Sequence, residues 1–249
     1  MGRFNPIHTM TRTGTDAWAG VLDHRGIRGA DDLVSMPLQC GTQWDGLGHV
    51  FYNDFMWNGY DCREVTSAGA QKAGIEKTKS KMTGRGVLLD IPRVKGVQYL
   101  DDGYPITCAD LDEACEKLNV EVKPGDFVIV RTGQMERCLE DGTWDGYAGG
   151  DAPGGAFETL DWIHKKQIAG IASDTWGFEV RPCETDENIN QPWHWIAIPI
   201  LGLTIGEIWY LKDLADECAE DGAYEFLFVA PALPITGAVG SPVNPLAIK

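Results

Sequence analysis

Gln39-Cys-Gly-Thr-Gln-Trp-Asp-Gly-Leu-Gly-His49 is the stretch on which the reading of this chain turns. Side chains able to hold a metal or move a proton stand at positions 39, 43, 45 and 49. Side chains of an extended segment alternate between its faces with period two. Gln43 and Asp45 therefore share a face, and Gln39 joins them if the strand is regular. Glycines at 41, 46 and 48 allow tight turns and close backbone approach. The stretch predicts a short strand aiming an amide oxygen and a carboxylate at one point. A glycine-lined turn then returns the His49 imidazole over it. Each residue also has a plainer reading. Asp45 can cap a turn, His49 can be a core histidine, and the glutamines can be hydrogen-bonding supports. Cys40 suggests a thiol nucleophile with His49 as base and Asp45 as orienter, but alternation puts it on the opposite face from residue 43.

Around this stretch the pattern is one of strands alternating with helices. Val87–Ile91, ended by Pro92, reads as a buried strand, as does Asp126–Arg131 (DFVIVR). Further apolar runs at Ile168–Ala172, Trp195–Ile200 and Tyr224–Val229 read the same way. Thr107, three residues before Asp110, predicts a capped helix running to about Leu118. Helices are also expected over about 155–166 and 206–218. The glycine-rich stretch 133–155 reads as a long functional loop, and the proline-bearing end, 231–249, as an extended tail. The first 30 residues show no clear period and read as a surface-draped segment. This alternation argues for an α/β fold, here taken as one domain spanning 1–249. No G-x-G-x-x-G, P-loop or G-x-S-x-G motif is present.

The 249 residues are 43% hydrophobic and 23% charged, ordinary for a globular protein with a sizeable core. A formal net charge of −16 opposes binding to phosphate backbones or anionic lipid, so neither a nucleic-acid nor a membrane partner is expected. The seven cysteines form no C-x-x-C pair, which argues against a structural zinc cluster or a disulfide framework. Free thiols point to a reducing, cytoplasmic location. No apolar signal region is visible over 1–20, and Trp193–Tyr210 is too interrupted to span a bilayer.

The opening stretch also resembles the cyclase family, the group that contains the bacterial kynurenine formamidases and isatin hydrolases. The family signature HxGTHxDxPxH appears as QCGTQWDGLGH, with Gly41, Thr42, Asp45 and His49 matching in identity and spacing. Gln39 and Gln43 stand where the formamidases carry metal-binding histidines, and Gly46-Leu47 replaces the usual Ala-Pro. This double-glutamine form is similar to the subgroup that includes the trans-dienelactone hydrolases. Arg131-Thr-Gly133 and Ile171-Ala-Ser-Asp174 resemble later family segments, and His194 and Glu207 sit where the family supplies distal ligands. Family chains carry more sequence ahead of the motif, which implies a chain continuing upstream of residue 1.

The resemblance implies a cyclase-type swivelling β/β/α fold, a mixed sheet core with flanking helices, assembled as a homodimer or homotetramer. It implies a divalent metal ion held by Asp45, His194 and Glu207, with Gln43 and Gln39 completing the shell. Replacing imidazole nitrogens by amide oxygens favours a harder cation such as manganese over zinc. The expected reaction is the opening of a small-molecule lactone or cyclic amide by a metal-activated water. His49, not needed as a ligand, is its general base, since an imidazole near pKa 6.5 suits that task. Arg131, Trp44 and Trp193 are candidate substrate-binding residues, with Trp195 a further candidate for a pocket wall. The plainer roles are core packing for the tryptophans and an ion pair for Arg131. Two alternatives remain open: an acyclic amide hydrolase of the formamidase type, and a non-catalytic binding protein on an inactivated scaffold.

Overall fold

The structure, a computed structural model, describes residues 3–249. They fall into two compact units, the first ending at Cys40 and the second running from Gly41 to Lys249. The first unit is a hairpin of β1 (Ile7–Arg12) and β2 (Asp31–Ser35), which pair antiparallel around a short helix, α1 (Gly14–Trp18). Thr13 and Asp16 cap α1 reciprocally. The region is exposed, as expected of a surface segment, but it carries paired strands where no period was visible in the sequence.

An eight-stranded mixed sheet forms the second unit. Its strands are β3 (Gln43–Asp45), β4 (Thr83–Asp90), β5 (Phe127–Arg131), β6 (Gly170–Ser173), β7 (Thr204–Glu207), β8 (Glu225–Val229), β9 (Gly240–Pro242) and β10 (Leu246–Ile248). They lie in the order β9-β3-β7-β6-β5-β4-β8-β10. The central four, β7, β6, β5 and β4, run parallel, and the outer strands join them antiparallel. Every residue of β5, β6 and β7 is buried. Strands covered on both faces read as continuous apolar runs, which is why FVIVR was recognisable. The flanking helices are α2 (Ile91–Lys95), α3 (Cys108–Lys117), α4 (Gln134–Asp141), α5 (Thr159–Lys166), α6 (Pro192–Ala197) and α7 (Lys212–Asp221). This is the mixed α/β architecture expected of the cyclase fold.

Three local expectations are corrected. Trp195–Ile200 is not a strand: its first half belongs to α6, where Pro192 presets the first turn and the Glu179 carboxylate accepts from the backbone N–H groups of Trp193 and His194 (3.1 and 3.3 Å). Gly206 does not open a helix. Thr204–Glu207 is a buried strand between β3 and β6, and the helix starts later, at Lys212. The 133–155 stretch is not all loop, because the strong helix formers of Gln134–Asp141 build α4 inside it.

Candidate metal centre

The centre begins on β3. Gln43 lies opposite Glu207 on β7, and Asp45 lies opposite Ile205 on β7 and Gly240 on β9. Trp44, between them, points the other way into the core. It is fully buried, its ring 4.9 Å from that of Trp209, and its indole N–H donates to the Ala230 carbonyl. After Asp45 the chain must turn tightly. A Cβ at Gly46 would come within 2.8 Å of the Val239 carbonyl oxygen, so only glycine fits there. The His49 amide closes the turn on Gly46 O (3.0 Å), and His49 Nε2 lies 3.6 Å from Asp45 Oδ2.

From the other side come α6 and β7. His194 Nε2 lies 3.0 Å from Glu207 Oε1, while Gln43 Nε2 donates to Glu207 Oε2 at 2.6 Å. Ligand atoms of Asp45, His194 and Glu207 all lie within 4.8 Å of one another, and all three residues are buried. His194 Nδ1 is hydrogen-bonded to Glu179, a residue the sequence reading missed. Burial pulls the imidazole pKa down, but the hydrogen bonds to Glu179 and Glu207 outweigh it and raise it to about 10. A cation at Nε2 must therefore displace a proton. Glu179 had only one signal, an acid inside the apolar run Phe178–Val180, and nothing local tied it to position 194.

The donor set suits a divalent cation. Two carboxylates and an imidazole converge, and the side-chain oxygen Oε1 of Gln43 is buried without a hydrogen-bond partner among the described residues. A buried acceptor left in that state is costly unless something electropositive meets it. The carboxylate–histidine pairing of Glu179 and His194 is the usual way a ligating imidazole is fixed in one tautomer.

The remaining expected residues stand elsewhere. Gln39 belongs to the first unit and sits in a turn, not on β3, because extended backbone begins only at Gln43. Arg131 is corrected from substrate binder to structural ion-pair partner. Its buried guanidinium contacts Asp90 at 2.7 Å and grips Glu136 bidentately at 2.7 and 2.6 Å. Trp44 and Trp193 are corrected likewise. Both are buried core residues, and the Trp193 indole N–H donates to Thr159 Oγ1. Trp195 keeps a partly exposed face. The two later family-like segments meet each other: Asp174 accepts from the Thr132 amide and hydroxyl and from the Gly133 amide, at 2.7–2.9 Å.

The family model Cyclase matches residues 6–180. The chain belongs to the cyclase family. A solved structure described as a novel cyclase shares 42% identity with this cyclase-family chain at a TM-score of 0.89, covering 99% of this chain and 82% of that one. Isatin hydrolase A from Labrenzia aggregata, bound to benzyl benzoate, superposes with a TM-score of 0.69 at 18% identity, over 100% of this chain and 86% of that one. A predicted metal-dependent hydrolase from Bacillus stearothermophilus gives a TM-score of 0.59 at 19% identity, over 98% and 86%. These two more distant likenesses establish the shared fold. No curated protein matches the chain.

Proposed function

We propose that this cyclase-family chain is a metal-dependent hydrolase that opens a cyclic ester or cyclic amide. The observation that carries the reading is the buried convergence of Asp45, His194 and Glu207 beside the unclaimed Gln43 oxygen. The isatin hydrolase and metal-dependent hydrolase neighbours support the same reaction class. Asp45, His194 and Glu207 hold the cation, with Gln43 Oε1 as a neutral fourth donor. This set is oxygen-rich, which favours manganese over zinc. A divalent ion there supplies Lewis acidity, polarising the scissile carbonyl and acidifying a water molecule.

The chain's own groups do the rest. Glu179 holds the Nδ1 side of His194 and so keeps Nε2 turned toward Glu207. Gln43 steadies Glu207 through its amide donor. His49 is the group at this centre that substrate can reach, since its side chain keeps 22% exposure against 2% for the Asp45 side chain. It accepts the proton of the attacking water and returns it to the leaving group. Asp45 beside it stabilises the imidazolium formed in between. The test is elemental analysis of the purified protein beside its Asp45→Ala variant, followed by a screen of lactones and cyclic amides. Near-stoichiometric manganese or zinc in the wild type, lost in the variant, is the expected result. No metal in the wild type, even after incubation with manganese, would move the chain to the inactivated-scaffold reading.

A further inference from the structure

The end of β7 departs from strand alternation. Glu207 lies opposite Gln43 on β3, so the two side chains share the face that carries the metal centre. Side chains two residues apart on a strand share a face, which would set Trp209 beside Glu207. Trp209 is found on the other face instead. Its ring lies 4.9 Å from that of Trp44 and over Gly206, where a Cβ would come within 2.8 Å of the indole. The residue between Glu207 and Trp209 is Ile208, with φ at +61°. Bulky β-branched residues are strongly disfavoured in this left-handed region. Among the described residues Ile208 is the only β-branched one so placed.

We infer that Ile208 is a positioning residue of the metal centre: its left-handed backbone turns Glu207 toward the cation while Trp209 stays anchored on the opposite face. The assignment rests on the reading of Glu207 as a metal ligand. Trp209 is held firmly. It is 2% exposed, stacks on Phe228 at 5.6 Å, and donates its indole N–H to the Gln43 backbone carbonyl at 3.0 Å. With Trp209 fixed, an extended Ile208 would carry Glu207 off the face it shares with Gln43. Strained backbone persists only where its surroundings over-determine it. Here the Ile208 amide donates to the Thr175 carbonyl at 2.9 Å, and the Thr42 hydroxyl donates to the Ile208 carbonyl at 2.6 Å. The same device recurs on the far side of the imidazole. Phe178, with φ at +54°, immediately precedes Glu179. Both carboxylates that grip His194, one at each ring nitrogen, thus adjoin a bulky apolar residue in the left-handed region.

Thr42→Val removes the hydroxyl that pins Ile208 and keeps the shape of the side chain. Thr42 and Ile208 are both half-buried, so folding is retained, which circular dichroism checks. Manganese affinity of the full chain, read by competition with a chelator, should fall about tenfold, as on losing a group that orients a ligand. Thr42→Val/Ile208→Asn should recover wild-type affinity, because asparagine enters the left-handed region readily. A role confined to packing of Ile208 against Met135, Cys138 and Tyr147 predicts the reverse, a double variant weaker than the single one. The Gln43 side-chain amide, which donates to Glu207 at 2.6 Å, gives a readout that needs no cation. In magnetic resonance spectra of the cation-free protein its proton signals should move toward solvent-exposed values in Thr42→Val and return in the double variant. A wild type that binds no manganese would defeat the metal reading, and the Gln43 signals would then decide the positioning role by themselves. Unchanged affinity and unchanged Gln43 signals in Thr42→Val, or a double variant no better than the single one, would overturn it.

Discussion

At the residue scale, the proposed division of labour separates groups that hold a cation from a group that moves a proton. His49→Ala should lower kcat by about 10²–10⁴-fold while leaving metal content unchanged, because a positioned base is removed and no ligand is. Steady-state kinetics beside elemental analysis checks this; joint loss of metal and activity would make His49 a ligand. Glu179→Gln should weaken metal affinity by about 10–100-fold, since an amide cannot hold the His194 Nδ1–H with the same charge. Competition with a chelator reads that constant. Gln keeps one acceptor oxygen where Glu179 uses two for the α6 amides, so the thermal midpoint should fall as well. Asp45 and His49 were legible in the sequence because only a three-residue glycine turn, Gly46-Leu47-Gly48, connects them. The Gln43 role was half legible: its face followed from strand alternation, but the use of its nitrogen on Glu207 depends on a strand 164 residues away. Glu179 was invisible for the same reason, since it meets His194 only through the fold.

At the element scale, the best-read helix was α3, because its start is written locally. Thr107 Oγ1 accepts from the Asp110 amide, and Asp110 Oδ2 accepts in return from the Thr107 amide at 2.8 Å. Thr107→Ala should cost about 1 kcal/mol, lowering Tm by roughly 2–4 °C for a chain of this size. An unchanged midpoint in a calorimetric scan would deny the cap that weight. The misread elements lack such local signals. The aromatic and β-branched run around Trp195 favours a strand by propensity, but α6 is set by a carboxylate from upstream, at Glu179. The junction of β5 and β6 rests on Asp174, whose complete burial raises its carboxyl pKa to about 6 despite hydrogen bonds from Thr132 that lower it. The folded state thus holds this proton more tightly than the unfolded chain, where the value is near 3.8. The resulting stability is fully present below about pH 4 and lost as pH rises through about 6, a difference of order 3 kcal/mol. Urea midpoints across pH 4–7 should show that decline in the wild type and lack it in Asp174→Asn. Parallel curves for the two proteins would refute it. The variant should also be weaker at every pH, since an amide cannot accept from both the Thr132 and Gly133 amides.

At the scale of the molecule, the α/β class was readable because β5, β6 and the second half of β4 are buried and announce themselves as apolar runs, whereas the buried β7, with the sequence TIGE, does not. Strand order was not, because pairing partners far apart in the chain leave no local mark. The antiparallel placement of β3 between β7 and β9 is the clearest case. That placement sets a timetable. A ribosome releases Asp45 well ahead of both neighbours of its strand, at 204–207 and 240–242. Until those segments emerge, the nascent chain carries β3 with two bare edges, and Asp45 has neither His194 nor Glu207 to meet. A cation held by all three groups would have to wait until Glu207 has emerged. A premature stop between Glu207 and Gly240 would leave β3 short of a neighbour even with all three proposed ligands already made.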